Sequence, residues 1–469
     1  MSLRGRRDRA FLVLGAICAL VPALVMWGFT VDDALIPIRY AHHLANGQGY
    51  RFNAHGPSTD GVTPLPWAFL LTLLARGEPL LALVRAKAIG VGAWTAASTM
   101  LALDLGRRHE RALHPFIGMV VIALAFPVGA WASSGMETGL ATALVTLAAL
   151  SFERPLRAAI FAGVAATLRP ELVVWSMALA FGSAVFAKDR SRARILVTVA
   201  IAFAPFLVCA IVRVIVWGRP SPLALLAKPS DLTHGFVYAR AAALVVLTPI
   251  LALAPIAVAR STPIARTLFT AGLLHFFVVI LVGGDWMPYA RLMVPIAPSL
   301  AIVYVESTRT SHPLATGLRV LGALVIGGLV AVTAAPNGRH VQRDRAELIR
   351  NARPVLVGSK VVAALDIGWV SAATNADIVD LAGLTDPAIA VLSGGHTSKH
   401  VDTAMLLDRN VDMIVVYSER RVVEERIVRA PVFATRFERV ATVPLGPRGA
   451  SYVFYKRRDA PPPPPAPEP

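Results

Sequence analysis

Cysteine is almost missing: Cys18 and Cys209 are the only two, each inside an apolar run. Neither a disulfide framework nor a CxxC or Cys/His metal spacing is available, so both read as packing residues. Charge is scarce as well, at 16% of 469 residues against 55% hydrophobic, with a mean hydropathy of +0.60. That balance excludes an ordinary soluble enzyme and predicts a polytopic α-helical membrane protein. Acidic residues are the scarcer sign, 29 against 46 Lys and Arg, a formal net charge of +17. In a soluble chain this excess would suggest nucleic acid. Here much of it falls in short loops between apolar runs, so membrane lipids and no nucleic acid are expected as partners, with a bias toward anionic headgroups or a phosphate-bearing lipid substrate. No internal repeat is visible. No small-residue cleavage site follows the first apolar run, which is therefore read as a retained anchor.

About eleven spans are expected. Arg4, Arg6, Arg7 and Arg9 hold the N-terminus in the cytoplasm. The apolar runs are 10–29, 80–105, 113–131, 139–152, 158–168, 172–187, 195–217, 241–259, 268–282, 292–305 and 320–335. The loops placed inside, 1–10, 106–111, 153–157, 188–194, 260–266 and 307–319, carry seventeen Lys and Arg. The longer loops placed outside carry fewer, which sets the orientation. Arg85 and Lys87, near the outer end of the second run, fit this rule poorly. Trp27, Trp131, Trp217 and Trp286 fall near outer ends, as an aromatic belt would.

Composition shifts near residue 336, which divides the chain into a membrane part (1–335), an outer α/β domain (336–458) and a proline-rich tail (459–469). VVAALDIG, ADIVDLAG and VDMIVVY read as short buried strands, TAMLLDRN as a helix, and VFATRFERVATVPL with GASYVFYKR as a strand pair. The tail is expected to be extended and disordered.

The chain is organised around the polar stretch Thr30–Pro66, which opens on Asp32 and Asp33. Adjacent carboxylates at a membrane boundary allow two readings. They form a solvated helix cap, or their mutual repulsion raises one pKa and suits it to base catalysis. Residues 32–46 then form a short amphipathic helix. Four further polar motifs fall on the same outer side: Ser134–Thr138 with Glu137, Arg169–Glu171, the loop ending at Lys228, and Gly283–Trp286 with Asp285. Together they suggest one external site.

In their order along the chain these motifs resemble a family. DDALIPIRYA, TDGVTPLPW (with Asp60), SGMET, LRPE, GRPSPLALLAK, GGDWMP with R-x-x-x-P, and DIG followed by DLAGLTD are similar to motifs of the GT-C membrane glycosyltransferases. The likeness is greatest to the terminal arabinofuranosyltransferases of mycobacterial cell walls and their bacterial relatives, and it extends over nearly the whole chain to about residue 456. Leu35 stands where an aromatic is usual, and the TPLPW and PSPLALLAK segments lack an asparagine. These departures bear on the sugar and the acceptor more than on the reaction class.

The resemblance implies a bacterial inner-membrane enzyme with its active site and C-terminal domain outside. It would take a sugar from a polyprenyl-phosphate donor to an envelope glycan or lipid acceptor. Asp32 or Asp33, with a slight preference for Asp33, would be the general base. Arg39, Arg169, Lys228 and Arg291 are the candidate cations for the donor phosphate. Glu171, Asp285 and Trp286 are further substrate-binding candidates, and Glu137 and Asp60 complete the set. No cofactor is required by this reading. A divalent cation is an option, with His42, His43 and His55 as ligands beside the aspartates.

Each residue also has a structural reading. Glu137 caps the next helix, Arg169 and Glu171 form an ion pair at a proline break, Asp285 holds a glycine turn, and His275 packs in an apolar helix. Two rival classes remain: a transporter or flippase of a lipid-linked sugar, which would scatter ionisable residues through repeated halves, and a non-catalytic membrane scaffold.

Overall fold

The computed structural model describes residues 3–247 and 258–458. The proline-rich tail and most of the eighth expected run lie outside the described residues. The chain divides into two compact units, both discontinuous in sequence. One comprises 1–30, 84–212 and 230–340; the other comprises 31–83, 213–229 and the chain from Val341 onward.

The first unit is helical. Apolar helices occur where the sequence expects them, but the expectation of about eleven spans is corrected by their lengths. Among the described residues, five helices are long and apolar enough to cross a membrane: Arg4–Val25, Pro79–Arg108, Arg192–Trp217, Pro263–Leu281 and the apolar part of Pro313–Leu356. The bent pair Leu113–Leu124 and Phe126–Ala132, 62° apart, would make a sixth if it is one span. The remaining apolar helices, Thr138–Leu150, Pro155–Leu168, Pro170–Val185, Leu232–Val246 and Val294–Ser307, are too short. Thirteen residues of α-helix rise only about 20 Å, while a hydrocarbon core is about 30 Å thick. The breaks have visible causes, such as Arg169-Pro170, where the helix stops before a proline that clashes with its last turn.

Small residues let these helices approach. Ala159, Ala180 and Ala202, from three helices, are fully buried against one another. A Cβ on Gly163 would lie 2.8 Å from the Ala202 carbonyl, so only glycine fits there. The misfit Lys87 is buried, with Nζ donating to the carbonyls of Trp27 and Phe29 at the exit of the first helix. It satisfies backbone left open where that helix ends, which removes it from any charge-rule bookkeeping. Trp131 is likewise fully buried, donating from Nε1 to the Tyr289 carbonyl at 3.1 Å, and is no belt residue.

The second unit carries a five-stranded sheet of β1 (Val361–Ala364), β2 (Asp377–Asp380), β3 (Met413–Tyr417), β4 (Phe437–Pro444) and β5 (Ser451–Arg457). The order is β2-β1-β3-β5-β4, with β1, β2 and β3 parallel and β5 antiparallel to both β3 and β4. Helix Ile367–Ala373 connects β1 to β2. Earlier parts of the chain complete this unit. Asn53 exchanges hydrogen bonds of 2.9 and 2.8 Å with the backbone of Ile378, so its side-chain amide closes the open edge of β2 as a further strand would.

Candidate functional site

Asp32 and Asp33 begin a short 3-10 turn, Asp32–Ala34, which leads into the amphipathic helix Leu35–Ala45. As neighbours in a 3-10 turn they point about 120° apart, and the second unit treats them differently.

Asp32 is engaged on both oxygens. Oδ2 accepts from the Gly368 amide at 2.7 Å, and Oδ1 accepts from the Trp369 amide at 2.9 Å and from Arg345 at 2.5 Å. The two amides open helix Ile367–Ala373, which follows β1. Such helix starts, at the carboxyl ends of parallel strands, are natural anion seats. Here the chain's own carboxylate fills the seat. A Cβ on Gly368 would lie 2.0 Å from the Asp32 carbonyl oxygen, so this approach requires glycine. Burial pushes the Asp32 carboxyl up to about 6, against the opposing pull of Arg345. Asp366 and Asp33 add to the upward shift.

Asp366 is itself tied into a charged network. It receives Arg421 Nη1 at 2.9 and 3.0 Å and the Tyr452 hydroxyl at 2.5 Å. Arg421 also grips the buried Glu424 at 2.7 Å.

Asp33 is held by none of these groups. Its side chain keeps 29% exposure, and its nearest ion-pair partner is Lys228 at 3.9 Å, itself 26% exposed. Lys228 ends the short helix Leu223–Ala227, which the Asp60 carbonyl anchors by accepting from the Leu223 amide at 3.1 Å.

Arg39 is buried and donates to four carbonyls, Phe52 at 2.7 Å, Ser371 at 3.1 Å, Thr374 at 3.0 Å and Ala376 at 2.7 Å. It clamps backbone, and burial lowers its pKa to about 10. Asp60 is buried against Arg213 at 2.7 Å, and burial raises its carboxyl pKa. Arg213 was not legible as a partner from the sequence.

In the first unit, Arg169 bridges two carboxylates, Glu137 at 2.9 Å and Glu171 at 2.6 Å, all three nearly excluded from solvent. Glu137 stands at the start of helix Thr138–Leu150 without making a side-chain cap, so it is an ion-pair residue. His275 is buried between the carbonyls of Leu292 and Glu171, a packed residue. Asp285 accepts from the Trp286 amide at 2.8 Å and pairs with Arg291 at 2.7 Å. The Arg291 guanidinium sits over the Trp131 ring. Trp286 is 65% exposed and stacks on His234 with ring centroids 4.1 Å apart.

Of the histidines considered as ligands, His55 lies 3.4 Å from Asp377, while His43 and His42 face the Arg51 and Ala75 carbonyls. Among the described residues no group of three or more His, Cys, Asp or Glu is placed to hold a metal ion.

Residues 338–455 match a family described as a domain of unknown function (DUF8728). The match begins close to the composition shift and covers the sheet except the last two residues of β5. No curated protein matches the chain, and no solved structure matches it.

Proposed function

We propose that the chain is a membrane glycosyltransferase that moves a sugar from a polyprenyl-phosphate donor to an envelope glycan or lipid acceptor, with Asp33 as the general base. The observation that carries this reading is the asymmetry of the acidic pair. A base must reach the proton it removes. Asp32 has both oxygens committed to two amides and Arg345, whereas Asp33 is partly open to solvent beside Lys228.

In the proposed reaction Asp33 accepts the proton of an acceptor hydroxyl. The hydroxyl oxygen forms a bond to the anomeric carbon, and the bond from that carbon to the phosphate oxygen breaks. Polyprenyl phosphate leaves carrying the electron pair, and Lys228 offsets the charge gathering on it. Asp32 is a positioning residue: by binding the start of helix Ile367–Ala373 it fixes the backbone that presents Asp33.

Arg39 is not a phosphate ligand in this reading, since four of its five N–H donors go to carbonyls. Arg169 and Arg291 are already charge-balanced by carboxylates.

The test is envelope glycan analysis by mass spectrometry in a deletion strain complemented with wild type, Asp33→Asn or Asp32→Asn. Loss of one sugar on deletion, restored by wild type and not by Asp33→Asn, is the expected result. Restoration by both variants overturns the enzyme reading and moves transport or scaffolding ahead.

A further inference from the structure

A second charged feature lies in the first unit, apart from any residue assigned above. A cavity of about 410 Å³ is bounded by the end of helix Pro79–Arg108, the end of helix Thr138–Leu150 and the turn that follows it. Four arginines line it: Arg107, Arg108, Arg154 and Arg157. Two are neutralised, Arg107 by Asp8 at 2.7 Å and Arg108 by Asp104 at 2.6 Å. Arg154 and Arg157 are exposed and make no ion pair among the described residues; Arg157 only leans over the Phe161 ring. Glu153, also on the wall, is largely exposed and its ion-pair partner is Arg108, 3.8 Å away. Four arginines thus face the three carboxylates Asp8, Asp104 and Glu153, which leaves the cavity a net charge of +1, with Arg154 and Arg157 carrying its exposed positive charge.

Apolar surface continues from it. Helix Pro155–Leu168 starts at the cavity, and Leu156, Ile160 and Val164, spaced four residues apart on one face, are all exposed. Met100 on the cavity wall is exposed too. A free phosphate or a soluble anion would use the arginines and leave this stripe idle. A molecule with an anionic head and an acyl chain uses both.

We propose that this cavity binds the headgroup of an anionic phospholipid. Arg154 and Arg157 hold the phosphate, and the Leu156–Ile160–Val164 stripe receives an acyl chain. The proposal rests on the chain being embedded in a membrane and is independent of its catalytic reading.

The experiment is native mass spectrometry of the delipidated full chain in detergent, titrated with phosphatidylglycerol, phosphatidylcholine or glycerol phosphate. Wild type is expected to retain phosphatidylglycerol in preference to phosphatidylcholine. The double variant Arg154→Gln/Arg157→Gln should hold it roughly tenfold more weakly. Arg154→Lys/Arg157→Lys should keep most of the binding, which also guards against a loss caused by misfolding. As a control for diffuse charge, Lys188→Gln/Arg190→Gln removes two exposed cations from another loop and should change nothing. Equal retention of phosphatidylcholine, or an equal loss in the control, overturns the proposal. So does glycerol phosphate competing as well as the intact lipid, because the apolar stripe would then contribute nothing.

Discussion

Two carboxylates adjacent in sequence have different surroundings, and the difference is testable residue by residue. Asp33→Asn removes the proposed base while leaving the turn intact. Turnover should fall about 10²–10⁴-fold with no change in thermal stability, measured by product formation in membranes and by a thermal shift of the purified protein. Lys228→Ala should lower turnover and Lys228→Arg should restore part of it, because a cation near a phosphate acts chiefly through its charge.

Asp32 predicts a pH dependence instead. Its carboxyl is raised to about 6, so it takes up a proton as pH falls through that value and its hold on Arg345 weakens. Activity should drop on the acid side near pH 6 in wild type, and Asp32→Asn should be low throughout but without that limb. For stability the sign is opposite. A carboxyl with a raised folded-state pKa binds more protons folded than unfolded between about 4 and about 6, so its contribution becomes less favourable as pH rises across that window. The adjacency of Asp32 and Asp33 is plain in the sequence. The amides of Gly368 and Trp369 and the guanidinium of Arg345 are more than three hundred residues away, and nothing local announces them.

At the scale of elements, the second unit depends on a few side chains that tie distant backbone together. Arg39→Ala would leave the carbonyls of Phe52, Ser371, Thr374 and Ala376 without their donor in a buried setting. A loss of about 3 kcal/mol or more is expected in chemical denaturation, and Arg39→Lys should recover only part of it, since lysine cannot span four acceptors with its three donors. Arg213→Ala strands the buried Asp60 and should cost about 3–5 kcal/mol by the same measurement.

Gly368→Ala belongs here as well: a methyl placed 2.0 Å from the Asp32 carbonyl must push the acidic turn off the start of helix Ile367–Ala373. Turnover should fall with the sheet still formed, read by activity beside circular dichroism. Helix positions were legible from hydropathy, because burial in lipid or in a helical core selects the same apolar runs. Helix lengths were not. Turn positions such as Ser151–Arg154 and the bend before Phe126 shorten runs that look long enough when only composition is counted.

For the whole molecule, the boundary of the sheet-bearing unit carries the prediction. The matched stretch 338–455 resembles an independent domain in sequence. In the structure, the unit that contains the sheet also takes in 213–229 and 31–83, and the latter closes the β2 edge through Asn53 and clamps 371–376 through Arg39. A fragment 338–458 produced alone should therefore be loosely packed, with poor dispersion of its amide NMR signals. Adding a 31–83 segment in trans should sharpen them. A well-dispersed spectrum from the fragment alone would show that the earlier segments are dispensable for folding.

The sequence by itself determined that the chain is mostly apolar and helical, where its apolar helices lie, that a small sheet follows residue 336, and that acidic and basic motifs cluster in the loops. These follow from local composition and periodicity, which need no partner. Only the tertiary structure decided which helices reach spanning length, which charges neutralise one another, and which of two neighbouring aspartates stays open. Those outcomes depend on backbone amides and guanidinium groups brought from far along the chain, and a carboxylate's role is set by what reaches it in space.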